Sequence, residues 1–145
     1  MNEATTPPLL EVRDLVIEYG DTPGAMHRAL DGATLSVRAG EVLGLVGESG
    51  SGKSTLGLAV GRLLADNARR PGGELKVNGQ PVFELNDAAL RELRRRTLGF
   101  IFQNPMVALD PTMRVGKQIA LASGSKAAVR DLLARVGLRD IERVE

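Results

Sequence analysis

Apolar and polar positions along the chain change their period several times, and each change marks an element. Between Leu10 and Tyr19, apolar residues at 10, 12, 15 and 17 alternate imperfectly with charges, the pattern of a half-buried strand. Ala33 to Val37 reads as a second short strand, left through the turn Arg38-Ala39-Gly40-Glu41. Val42 to Val46 is a continuous apolar run bounded by glycine, the signature of a strand buried on both faces. Leu98 to Phe102 has the same character and ends at Gln103.

Helical spacing takes over at Leu56, Ala59, Val60, Leu63 and Leu64, and again at Val129, Leu132, Leu133 and Val136, where Gly137 supplies a stop. Asn86 is placed to cap a helix from Asp87 to about Arg96, and Val115 to Ala122 reads as helix. Asn78-Gly79 inside Glu74 to Val82 predicts a hairpin. Gly20 to Gly24, Asp66 to Gly73 and the stretch punctuated by Pro105 and Pro111 read as loops, and Ser123-Gly124-Ser125 as a break. Residues 1–8 read as a flexible end.

Composition narrows the class. The 145 residues carry 19 basic and 18 acidic side chains, so the clustered positive excess of a polyanion binder is missing and no nucleic-acid role is expected. The absence of cysteine excludes disulfides, thiolate metal sites and cysteine nucleophiles. The start MNEATTPPLL has no basic n-region or long apolar stretch, and no apolar run approaches the ~20 residues of a spanning helix. The expectation is a soluble, cytoplasmic chain that meets a membrane only through a partner.

The strongest chemical signal follows the Val42 to Val46 run. Gly47-Glu48-Ser49-Gly50-Ser51-Gly52-Lys53-Ser54-Thr55 satisfies G-x-x-x-x-G-K-[ST] at every required position, between a strand pattern and a helix pattern. Glycines let backbone N–H groups approach a polyphosphate closely, and the following helix aims its free N–H groups at the same anion. Lys53 would add charge at the β and γ phosphates, Ser54 a hydroxyl for Mg²⁺, and Thr55 a contact on the α-phosphate side. The motif and its flanks predict Mg²⁺–nucleoside triphosphate binding.

Further blocks carry a family resemblance. Leu30-Asp31-Gly32, Leu35-Ser36-Val37, Gly40-Glu41 and Gly44 through Thr55 resemble the N-terminal half of an ABC transporter ATP-binding subunit. Phe100-Ile101-Phe102-Gln103-Asn104-Pro105-Met106 and Leu109-Asp110-Pro111 through Ala120 resemble the Q-loop region of that family, in the dipeptide/oligopeptide importer group. The resemblance runs from about Leu9 to Glu145.

It implies an α/β P-loop NTPase fold of the ABC ATPase type: its N-terminal part, an antiparallel β subdomain, the start of a helical subdomain and an incomplete central sheet. It divides the chain into a β subdomain and P-loop core over 9–103, a Q-loop over 103–114 and a partial helical subdomain over 115–145. It makes ATP and Mg²⁺ the ligands, Gln103 a Mg²⁺ and water contact, and Tyr19 the aromatic that stacks on adenine. It further implies transmembrane permease subunits and a second ATP-binding subunit as partners, with the chain held peripherally at the inner face of the membrane.

Three features imitate chemistry without the required context. Met106-Val107-Ala108-Leu109-Asp110 looks like a Walker B strand, but Pro105 and Pro111 bracket it, so it reads as loop. His27 precedes the phosphate loop, whereas the family's switch histidine lies far beyond it. Arg91, Arg94, Arg95 and Arg96 read as a solvated helix face or a partner contact.

The family's signature motif, Walker B aspartate, catalytic glutamate and switch histidine do not occur before Glu145, and the helical region looks shortened around Ser123-Gly124-Ser125. The length therefore reads as a truncation, with no catalytic residue inside it and apolar strand surface left open. Three functions remain at this point: part of an importer ATPase, an ATP-binding module without hydrolysis, and a small P-loop kinase.

Overall fold

The computed structural model describes residues 7–22, 25–104 and 108–138. They form two compact units, Met1–Leu90 and Arg91–Glu145.

The first unit is built on an antiparallel sheet of order β2-β1-β3-β4, from β1 (Leu10–Tyr19), β2 (His27–Val37), β3 (Ala68–Val77) and β4 (Gln80–Pro81). The imperfect alternation of β1 has a geometric cause. Val12, Leu15 and Ile17 are all fully buried, which an uninterrupted strand could not achieve because odd and even positions face opposite sides. A bulge between Val12 and Leu15, with Asp14 at φ 47°, switches the parity. Thr34 secures it: its hydroxyl accepts from the Asp14 N–H at 2.9 Å and donates to Asp14 Oδ1 at 3.2 Å.

The partner strand is adapted to the bulge. Gly73, at φ 82°, lies where a Cβ would collide with the backbone of Asp14 and Leu15. This corrects the sequence reading of Asp66 to Gly73 as loop, since β3 begins at Ala68. Pro71 and the glycines that suggest a loop are tolerated because β4 pairs only with Lys76 and Val77, leaving this half of β3 bonded on one side. The β3–β4 turn has Asn78 at φ 48° and Gly79 at φ 74°, both positive as a two-residue I′ turn requires. Leu75, Val77 and Val82 complete the buried face.

Helix α1 (Lys53–Val60) buries Leu56 and Ala59 and packs on β2. Helix α2 (Asp87–Arg96) begins as its sequence predicts, with Asn86 Oδ1 accepting the Ala89 N–H at 2.9 Å, and buries Leu90 and Leu93.

In the second unit, α3 (Val115–Ser123) stops at Gly124, φ 70°, and α4 (Ala128–Arg135) buries Val129 and Leu133 before Gly137 turns the chain at φ 81°. Gln118 pins the preceding loop to α3: its amide accepts from the Asp110 N–H at 3.0 Å and donates to the carbonyls of Asp110 and Met113 at 2.9 and 2.8 Å.

Two expected strands are not strands. Val42 to Val46 is irregular backbone, with Val42 and Val46 about 95% exposed. Leu98 to Phe102 is irregular as well, with Ile101 fully exposed and Phe100 and Phe102 stacked on each other at 6.1 Å. A strand that hides both faces needs neighbours on both edges. Among the described residues the only sheet is β2-β1-β3-β4, and neither run pairs with it. Val42, Val46 and Ile101 are exposed, but in irregular backbone and not on the open strand surface that the sequence predicts.

Candidate functional site: the loop before helix α1

The loop from Gly47 to Gly52 owes its shape to two glycines and one lysine. Gly50 and Gly52 sit at φ 84° and 89°, in the left-handed region that side-chain-bearing residues avoid. The Ser51 N–H closes a turn onto the Glu48 carbonyl at 3.3 Å. Gly52 then lies directly on β2, where an added Cβ would collide with the Ala29 carbonyl and come within 2.7 Å of Leu30 Cδ2. Glycine is required here by both backbone angle and space. The helix starts at the next residue, and the Gly52 carbonyl accepts the Leu56 N–H at 2.9 Å.

Lys53 opens α1 and folds back over the loop. Its ammonium donates to the carbonyls of Gly47 and Glu48 at 2.8 and 2.6 Å and to Ser51 Oγ at 3.2 Å. Ser54 is exposed on the first helical turn, and Thr55 is half-buried. The free N–H groups of a helix start, a flexible cation and an exposed hydroxyl together suit a polyphosphate with a bound divalent cation. Such a cation would supply charge neutralisation between phosphate oxygens, with Ser54 as the residue of this loop to hold it.

Tyr19 lies at the same end of the sheet. It is half-buried at the end of β1, paired with His27 on β2 and Ala68 on β3. His27 is two residues from Ala29, on which the loop rests, a separation of about 7 Å along a strand. Between them Arg28 is clamped by Glu18 and Asp31, both at 2.9 Å, and these partners push its guanidinium pKa up, hydrogen bonding to Glu18 foremost.

The structure thus gathers Tyr19 and residues 47–55 in one unit. Gln103 belongs to the other unit, exposed in irregular backbone and not at the end of a strand as its sequence predicts. Pro105, Met106 and Val107 lie outside the described residues. Asp110 sits in a loop, as expected: it accepts the Thr112 hydroxyl at 2.6 Å and the Thr112 N–H at 2.8 Å, which hold its carboxyl below the usual aspartate range. His27 is an exposed residue at the start of β2. Ala29 and Leu30, which form the floor under Gly52, carry no chemical signature of their own, and only the fold reveals their part.

A family model described as ABC transporter matches residues 30–145. The chain belongs to the ABC transporter family. Relatives of this ABC protein include the oligopeptide transport ATP-binding protein OppD of Salmonella typhimurium, 45% identical over 111 residues, 77% of this chain and 32% of the relative. The peptidoglycan transport ATP-binding protein YejF of Agrobacterium fabrum is 37% identical over 153 residues, covering 99% of this chain and 28% of the relative. Among solved structures, the dimeric bacterial ABC transporter cassette MJ0796 superposes with a TM-score of 0.65 at 26% identity, over 78% of this chain and 46% of that one. The chain spans about a third of the length of the curated relatives it matches. Their match, together with the cassette fold, places this sequence in the N-terminal portion of an ABC ATP-binding domain. Among the described residues, no helix of this ABC domain is long and apolar enough to cross a membrane.

Proposed function

We propose that this chain binds Mg²⁺–ATP, with the phosphates cradled by Gly47, Glu48, Ser49, Gly50, Ser51, Gly52, Lys53, Ser54 and Thr55 and the adenine against Tyr19. Ser54 is the proposed Mg²⁺ contact of this loop. The chain would work as part of an ATPase subunit that powers solute import, at the cytoplasmic face of the membrane. Its partners there would be permease subunits and a second ATP-binding subunit. Peptides are the favoured cargo, because relatives such as OppD are named for oligopeptide transport. Carrying the reading is the seat of Gly52: a left-handed residue packed on β2, with the lysine and the helix start immediately after it.

A second reading, binding without turnover, is supported by the exposure of Val42 to Val46, which leaves the segment leading into the loop outside any sheet. Calorimetric titration of the purified chain with Mg²⁺–ATP, paired with phosphate release, tests both. Binding that weakens about ten- to hundredfold in Lys53→Ala, the loss of one charged hydrogen-bonding contact, is the expected result. Affinity unchanged by Lys53→Ala would count against the phosphate-loop reading. Phosphate release that vanishes in the same variant would sink binding without turnover.

A further inference from the structure

An ammonium group has three N–H donors, and the loop gives Lys53 three acceptors. Two are backbone carbonyls, of Gly47 and Glu48, which any sequence would supply. The third is the Ser51 hydroxyl at 3.2 Å, the one acceptor that depends on a side chain. Ser51 is doubly tied to this arrangement. Its own N–H donates to the Glu48 carbonyl, the same oxygen that accepts from Lys53. Its Oγ also lies over Gly47, 2.8 Å from where a Cβ on that glycine would stand. The serine side chain thus folds inward across the loop, and Gly47 leaves room for it.

We propose that Ser51 is a positioning residue for Lys53: its hydroxyl is the third anchor that keeps the ammonium over the loop instead of swinging into solvent. The inference rests on the reading of this loop as a phosphate cradle. A long lysine side chain has much rotamer freedom to lose, so holding it in place beforehand lowers the cost of engaging an anion. The hydroxyl suits the task because it accepts without carrying a charge that would compete with phosphate. It is also the longest of the three contacts, and therefore the one most easily exchanged for a phosphate oxygen while both carbonyls keep hold.

The test is a double-mutant cycle on the full chain, titrated calorimetrically with Mg²⁺–ATP, with far-UV circular dichroism to verify folding. Ser51→Ala is expected to weaken binding about three- to tenfold, Ser51→Thr to restore it, and Ser51→Ala to have no further effect in a Lys53→Met background. A Ser51→Ala effect that persists at full size in the Lys53→Met background overturns the proposal, because Ser51 would then act on the ligand or the loop directly. So does an unchanged affinity in Ser51→Ala. If Lys53→Met alone leaves binding unchanged, the phosphate-loop reading fails and the proposal falls with it.

A second measurement needs no nucleotide. Hydrogen exchange of the Lys53 ammonium, followed by NMR, is expected to accelerate in Ser51→Ala and return to the parent rate in Ser51→Thr. Equal rates in all three proteins would also overturn the proposal, even with the cradle itself intact.

Discussion

Gly52→Ala separates two physical reasons for a glycine, because Gly50 supplies a control with only one of them. Both residues are left-handed, at φ 89° and 84°, so alanine at either position costs about 1–2 kcal/mol in backbone strain. A Cβ on Gly50 meets nothing within 4 Å. A Cβ on Gly52 runs into the Ala29 carbonyl and Leu30 Cδ2, adding the about 1–3 kcal/mol of an overpacked contact. Gly52→Ala is therefore expected to destabilise the first unit by about 2–5 kcal/mol, and Gly50→Ala by about 1–2.

The chain contains one tyrosine and no tryptophan, so intrinsic fluorescence reports Tyr19 and hence the first unit alone. Urea unfolding without nucleotide then reads the difference. At a slope of about 1–3 kcal/mol per molar, the additional contact separates the two midpoints by roughly 1 M. Coincident midpoints would refute the reasoning, since the loop would not be seated on β2 as its geometry shows.

Other consequences follow from burial and charge. Leu15→Ala, in a fully buried position, is expected to cost about 2–5 kcal/mol by Tyr19 fluorescence, whereas Val42→Ala, about 95% exposed, is expected to stay within about 0.5. A large cost at Val42 would restore the doubly buried strand that its sequence suggests. Val42→Lys is expected to reduce self-association in light scattering, because it breaks an exposed apolar run; unchanged scattering would place the sticky surface elsewhere. Asp110, stabilised as a carboxylate by Thr112, has a folded-state pKa below its unfolded one. Its contribution to stability is thus present above the unfolded value and lost as pH falls through the lowered folded value. Carbon NMR of the Asp110 carboxyl is expected to show the low midpoint, and Thr112→Val to move it back up.

Much of the sheet was legible because its signals are local. Asn78-Gly79 needs only its own backbone angles to make a turn, and Asn86 needs only the next three residues to cap α2. The loop from Gly47 to Thr55 was legible for the same reason, its chemistry being written in consecutive residues. What was not legible depends on neighbours distant in sequence. The glycines and proline of β3 look like a loop until the Asp14 bulge is seen to need Gly73 opposite it. Val42 to Val46 and Leu98 to Phe102 have strand composition, yet composition provides no partner to pair with. Likewise the floor beneath Gly52 is two unremarkable residues, Ala29 and Leu30, that only folding brings there.

Where Mg²⁺–ATP touches the chain is the most direct measure of what the Gly47 to Thr55 loop does. Backbone amide NMR of the full chain, titrated with Mg²⁺–ATP, is predicted to move the resonances of Gly47 to Thr55 first and furthest, with Tyr19 following. Shifts confined to residues outside this loop, with Gly50, Gly52 and Lys53 unmoved at saturation, would contradict the phosphate-loop reading.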